Sequence, residues 1–164
     1  MKIKVQEIPE DGLEISFTEK LVSFRSEDLV IEGPMTGKLS VTRQDAKDVH
    51  VRGRVETAVR LICGRCLSPF RHPIETDFYL DCTPTVDTPC EQEHRLVGEE
   101  LYLHFYKGDL LEMDELIEGQ LLLELPMAPL CRVDCAGLCP SCGEDQNAGP
   151  HLCLRGMTNG TSKA

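Results

Sequence analysis

From residue 49 to residue 61 the chain reads Val49-His-Val51-Arg-Gly53-Arg-Val55-Glu-Thr57-Ala-Val59-Arg-Leu61, with small or apolar residues at every second position. A helix would scatter those positions around its cylinder, whereas a strand sets every second side chain on one face. The other face carries His50, Arg52, Arg54, Glu56, Ala58 and Arg60. One face therefore enters a core and the other meets solvent or a partner. Gly53, inside the run, predicts a bulge or a bend. Shorter runs of the same period hold Ile3 and Val5, then Leu13, Ile15 and Phe17, then Leu39 and Val41. The turn signals between them, Pro9-Glu10-Asp11-Gly12, Gly33-Pro34 and Thr36-Gly37, suit antiparallel connections better than helical crossovers.

Further along, residues 74–80 read as a strand, residues 81–93 as a mobile loop rich in Thr, Pro and acid, and residues 101–106 as another strand. A helix is predicted over 114–125. Leu116, Ile117, Leu121 and Leu125 recur near helical spacing, Glu115 and Glu118 favour the positive end of its dipole, and Pro126 stops it. The expected fold is a β-rich α+β domain over 1–126, an antiparallel sheet or split β-barrel with a covering helix. A cysteine-rich zinc-binding tail over 127–156 and a disordered terminus over 157–164 follow. At 164 residues the chain can bury a sizeable core without disulfide staples.

Charge narrows the function. Lys and Arg number 17 against 28 Asp and Glu, a net charge of -11, and residues 73–126 alone hold 14 acids and 2 bases. Such a molecule gains little from phosphate attraction overall, so contact with nucleic acid must be local or made through a protein. The opening MKIKVQEIPEDG has no apolar h-region, and no apolar stretch approaches the ~20 residues of a membrane helix. The expectation is a cytoplasmic chain that makes no membrane contact and takes no small-molecule substrate.

Nine cysteines in a reducing compartment point to metal or redox chemistry rather than to a disulfide framework. Six candidate ligands, Cys131, Cys135, Cys139, Cys142, His151 and Cys153, fall within 23 residues. Cys139-Pro-Ser-Cys142-Gly143 has the form of a zinc knuckle, two thiolates aimed at one ion with a glycine that lets backbone N–H groups approach the sulfurs. His151 and Cys153, one residue apart, are awkward joint ligands of one ion. The favoured set for a structural Zn2+ is thus Cys135, Cys139, Cys142 and Cys153, with Cys131 and His151 in reserve. A second motif, Cys63-Gly-Arg65-Cys66, follows the long strand and runs into Pro69 and Phe70. It can be a redox dithiol, half of a metal site, or a partner contact together with its arginines. Cys82 and Cys90 either complete a site with it or are incidental thiols.

Cys63-x-Arg65-Cys66-Leu67-x-Pro69-Phe70 after a V-x-G-x-V-x-T strand, the helix end Leu123-Glu124-Leu125-Pro126, and the tail Cys131-x3-Cys135-x-Gly137-Leu138-Cys139-Pro140-x-Cys142-Gly143 together resemble the bacterial YceD family, the large ribosomal RNA subunit accumulation proteins. The resemblance implies a cytoplasmic, non-enzymatic factor needed for accumulation of large-subunit (23S) rRNA, and the charge distribution adds the expectation that it acts by binding rRNA or a basic ribosomal protein. Some members keep the first C-x-R-C and lack the cysteine tail, which implies a shared role for Cys63, Arg65, Cys66 and Phe70. Arg52, Arg54 and Arg60 are candidates for contact with the partner. The competing functions are a thiol oxidoreductase using Cys63 and Cys66, and a zinc-dependent adaptor or regulator.

Overall fold

A computed structural model describes residues 1–19, 30–45, 47–85 and 103–149. Cys90, His94, His151, Cys153 and the predicted disordered terminus lie outside the described residues, as does most of the loop predicted over 81–93. Seven strands are present among them: β1 (Lys2–Lys4), β2 (Leu13–Glu19), β3 (Met35–Arg43), β4 (Val49–Ile62), β5 (Pro69–Pro84), β6 (Leu103–Tyr106) and β7 (Leu110–Glu112). The one α-helix of the described residues, α1 (Met113–Leu123), starts where β7 ends. The long alternating run is a strand, and the rest of the fold is strand-rich, as the periodicity predicts.

β2 through β6 form an open five-stranded sheet in sequence order, and β1 pairs with β7 in a separate two-stranded ribbon. β2–β3 and β3–β4 are antiparallel, whereas β5 and β6 run parallel from Asp81↔Leu103 to Pro84↔Tyr106. The β-rich fold with one helix agrees with the expected class; the β5–β6 pair adds a parallel edge to the antiparallel sheet, and the sheet does not close into a barrel. A parallel pair needs a crossover of a dozen or more residues, and the stretch 85–102 is long enough to supply one. The strand predicted over 74–80 extends at both ends, and its prolines fit that position. Pro69 opens β5, Pro84 closes it, and β6 pairs only with residues 81–84, so Pro73 interrupts no ladder on that side.

The molecule divides into two compact units, one of residues 1–59 and 73–124, the other of residues 60–72 and 125–164. In the first unit, Leu39, Val41, Val49, Val51, Val55, Val59, Leu111, Met113, Ile117 and Leu121 are almost wholly buried. Gly53 makes neither a bulge nor a bend: it pairs in register with Leu39, and a Cβ there would collide with the Phe78 ring and with Leu39. The missing Cβ leaves the room that the Phe78 ring occupies. Alternation along β4 breaks at Thr57, Ala58 and Val59, which are all buried, because Ile31 bridges to Val59 and the Glu32 N–H donates to the Ala58 carbonyl at 2.7 Å. α1 packs against β1, burying Leu116, Ile117 and Leu121, and its start is fixed by an ion pair between the Met1 ammonium and Asp114. Thr76 of β5 donates to the Glu124 carboxylate at the far end of α1, at 3.0 Å.

Candidate metal centre

Among its described residues the second unit has no aliphatic core of ordinary size. Its buried cluster is Cys63, Cys66 and Cys135, with Phe70, Leu130, Cys131 and Leu138 packed against them. A small unit whose buried cluster is mostly cysteine is the kind that a metal or a disulfide commonly supports.

Cys63 and Cys66 sit on a knuckle between β4 and β5. The Leu67 N–H donates to the Cys63 carbonyl at 2.9 Å, and the Cys63 N–H donates to the Ser68 carbonyl at 3.0 Å. Closing this turn puts Leu67 in the left-handed region, at φ +60°. Cys131 and Cys135 come from the tail, where the Cys135 N–H donates to the Arg132 carbonyl at 3.2 Å and turns the chain so that both sulfurs face the knuckle. The Gly64 N–H donates to the Pro129 carbonyl at 2.8 Å, and the Leu138 N–H to the Arg65 carbonyl at 3.1 Å, tying the two segments together. Gly137, at φ +75°, lies so close to Arg65 that a Cβ would stand 3.1 Å from the Arg65 carbonyl oxygen. Only glycine suits both the angle and the approach.

The four sulfurs of Cys63, Cys66, Cys131 and Cys135 all lie within 4.8 Å of one another. Cys63 Sγ is 3.8 Å from Cys135 Sγ, and Cys66 Sγ is 3.7 Å from Cys131 Sγ. Zinc–sulfur bonds of about 2.3 Å at tetrahedral angles put sulfurs about 3.8 Å apart, while a disulfide needs about 2.05 Å. The spacing is that of a tetrahedral thiolate site, and all four cysteines are free thiols. Backbone N–H groups of Cys131 and Cys66 directed at the Cys63 sulfur lower its pKa to about 6, so one thiolate is favoured. Desolvation, followed by the neighbouring thiols, pushes Cys131 up to about 12. Four cysteine sulfurs gathered in this way could hold a divalent metal ion.

Of the ligand set favoured by the sequence analysis, Cys153 lies outside the described residues. Cys135 lies with Cys63, Cys66 and the reserve Cys131, whereas Cys139 and Cys142 stand outside this group. Arg65 is exposed, and its guanidinium donates to the Cys135 carbonyl at 2.9 Å, which links it to the second pair of cysteines. Phe70 covers the thiol cluster and meets His72 edge to face, with ring centroids 6.3 Å apart. Asn147 was not singled out by sequence reasoning. Its amide donates to Cys135 Sγ at 3.4 Å, and its carbonyl oxygen accepts from Arg132 at 2.6 Å and from the Ala136 N–H at 2.9 Å. Asp145 caps the turn that presents it, accepting from the Asn147 N–H at 2.9 Å. The only sequence signal was Asp-x-Asn, a short turn-capping pair.

Across the first unit, the predicted basic face is mixed in sign. Arg54 is ion-paired with Glu75, with Glu56 at 3.4 Å and with Asp77 at 3.7 Å. Arg52 borders His50 and Tyr79, and His50 is ion-paired with Asp81.

The family model described as "Large ribosomal RNA subunit accumulation protein YceD" matches residues 51–160. The chain belongs to the YceD family. The matched span begins inside β4 and contains all four clustered cysteines, while β1, β2 and β3 lie before it. Similar curated proteins include uncharacterized proteins of Mycobacterium tuberculosis and Mycobacterium bovis, each 32% identical over 103 residues, 60% of this chain and 45% of theirs. One of Mycobacterium leprae is 32% identical over 99 residues, 43% of its length. This YceD chain thus spans a little under half the length of the curated relatives it matches. No solved structure matches it. Among the described residues no helix is long and apolar enough to cross a membrane.

Proposed function

We propose that this chain is a cytoplasmic, non-enzymatic factor in ribosome assembly that supports accumulation of large-subunit rRNA by binding, built around a structural Zn2+ on Cys63, Cys66, Cys131 and Cys135. The observation that carries the reading is the family match over residues 51–160, which spans both cysteine pairs. Four sulfurs fill a tetrahedral sphere and leave no open position for a substrate or a nucleophilic water, so the ion's role is to hold two chain segments together. A dithiol oxidoreductase needs an attacking thiolate within reach of its substrate. Cys63 is 0% and Cys66 6% exposed, which favours ligation over exchange.

The partner that charge favours is a basic ribosomal protein rather than the phosphate backbone of rRNA. Arg54, the centre of the candidate RNA face, is already surrounded by carboxylates, and residues 73–126 supply most of the negative charge. Electrostatic complementarity with a basic protein speeds encounter and excludes acidic competitors. Crosslinking in growing cells, followed by mass spectrometry and RNA sequencing of what is joined to the chain, tests this. Expected are crosslinks to a basic large-subunit protein, reduced by neutralising Glu75 and Asp77. Crosslinks to rRNA alone would move the partner to RNA, and crosslinks confined to polymerase subunits would replace the assembly role with that of a zinc-dependent adaptor.

A further inference from the structure

We infer that the Cys63–Cys66 knuckle is a docking surface for a second protein, one that offers an apolar recess rimmed with carboxylates, and that Leu67 is the side chain this recess receives. The inference goes beyond the reading above, in which a basic partner meets the acidic segment, and it stands whether or not that reading holds. Its starting point is a strained backbone position. Among the described residues Leu67, at φ +60°, is the one non-glycine residue of positive φ, and the six other such positions are all glycines. A bulky side chain is disfavoured there because its Cβ crowds the following carbonyl oxygen. A second turn of the same chain shows what glycine does in that place. The Leu67 N–H donates to the Cys63 carbonyl and the Cys63 N–H to the Ser68 carbonyl, and around Cys139 the same two bonds recur at the same offsets, Gly143 to Cys139 at 2.8 Å and Cys139 to Glu144 at 2.8 Å. The residue after the second cysteine of that turn is Gly143, at φ +79°. Closing the turn therefore requires the left-handed angle but not a leucine.

Nor does packing within the unit require it. Leu67 is 62% exposed and is not among the residues packed against the thiol cluster. A strained, water-facing apolar side chain is explained by a contact outside the chain. Its surroundings say what kind. Ile62, which ends β4 beside the same turn, is 52% exposed, and the alternation of the strand sets Arg60 on its face. Residues 60–72 hold Arg60, Arg65 and Arg71, all exposed, and no Asp or Glu, in a chain whose net charge is -11. Arg65 is already steadied by its bond to the Cys135 carbonyl, so less freedom is lost when its remaining N–H groups meet a carboxylate. Apolar side chains flanked by arginine suit a protein interface with an acidic rim. RNA bases are met instead by exposed aromatic rings, and the one aromatic ring of this segment, Phe70, is half-buried over the thiols. Opposite signs on the knuckle and on segment 73–126 direct different partners to the two surfaces.

The test uses the full chain. L67G relieves the left-handed strain, so its urea midpoint under reducing conditions is expected to match or exceed that of the wild type. A clearly lower midpoint would show that Leu67 serves the fold and would overturn the inference. A diazirine-bearing leucine analogue is then placed at position 67 in growing cells and activated by light, with the same analogue at the exposed Glu10 of the first unit as control. Expected is a protein adduct from position 67 and none from position 10, with a crosslinked peptide rich in Asp and Glu. The protein so identified, once purified, should bind the L67G chain roughly 10- to 100-fold more weakly than the wild type, the worth of burying one leucine side chain. Adducts to RNA alone, a basic crosslinked peptide, no adduct specific to position 67, or equal binding of L67G and wild type would each overturn it.

Discussion

Thr57 carries the one buried side-chain oxygen among the described residues that has no hydrogen-bond partner. An unsatisfied buried hydroxyl costs on the order of 1–3 kcal/mol, so Thr57→Val, which keeps the branched shape, is expected to raise stability by about 1 kcal/mol. Urea unfolding measures it, and a loss of stability would mean that the hydroxyl has a partner. His104 of β6 acts in the opposite sense. Burial lowers its pKa from the ordinary 6.5, with Glu115 pulling weakly the other way. Below 6.5 the unfolded chain binds a proton that the folded chain resists, so stability falls as pH drops from that value and levels off below the folded pKa. His104→Asn should flatten the difference between unfolding curves at pH 7.5 and pH 5.5; an unchanged difference would assign the acid sensitivity elsewhere. Asn147 is the residue whose loss should be felt at the metal. Asn147→Leu removes the amide that donates to Cys135 Sγ and the oxygen that orients Arg132, and zinc affinity should fall roughly 10- to 100-fold in chelator competition. Unaltered affinity would reduce Asn147 to a turn residue.

At the scale of elements, β4 joins the two units of the chain. Its first part is core strand, paired in register with β3 from Thr36↔Glu56 to Arg43↔Val49, and its last residues lead into the Cys63 knuckle. Gly53 shows how closely this strand is fitted. Gly53→Ala should cost about 1–3 kcal/mol in thermal or chemical unfolding, because Phe78 and Leu39 must shift to admit one methyl. A neutral result would show that the Phe78 ring moves freely. β6 contributes a different lesson. Four residues long and parallel to β5, it depends on a partner distant in sequence, and nothing in its own composition specifies direction.

On the scale of the whole molecule, the two units are held by different physics. Residues 1–59 and 73–124 enclose a conventional apolar core, whereas the buried cluster of residues 60–72 and 125–164 is largely cysteine. Folding of the second unit should therefore be coupled to metal, as in other small thiolate-bound domains. Treating the reduced protein with a strong chelator is expected to abolish amide-exchange protection at Cys63, Leu67, Cys135 and Leu138, leaving β3 and the core part of β4 protected. Protection that persists in the knuckle after the metal is gone would show that packing alone folds this unit.

Much of this was legible in the sequence because it is local. Period-two alternation marked β4 and its neighbours, Pro126 and the apolar spacing marked α1, and the two cysteine motifs marked the segments whose thiols cluster. What the tertiary structure alone decided is non-local: the parallel β5–β6 pair, the ring that lies against Gly53, the carboxylates around Arg54, and which cysteines come together. A C-x-x-C motif announces two donors for one ion but is silent about the other two, since these are set by where the chain returns. Here Cys135 reaches Cys63 across 72 residues of sequence, past four nearer cysteines. Spacing along the chain carries no record of that path, because it is the packing of the intervening strands and helix that brings the two segments together.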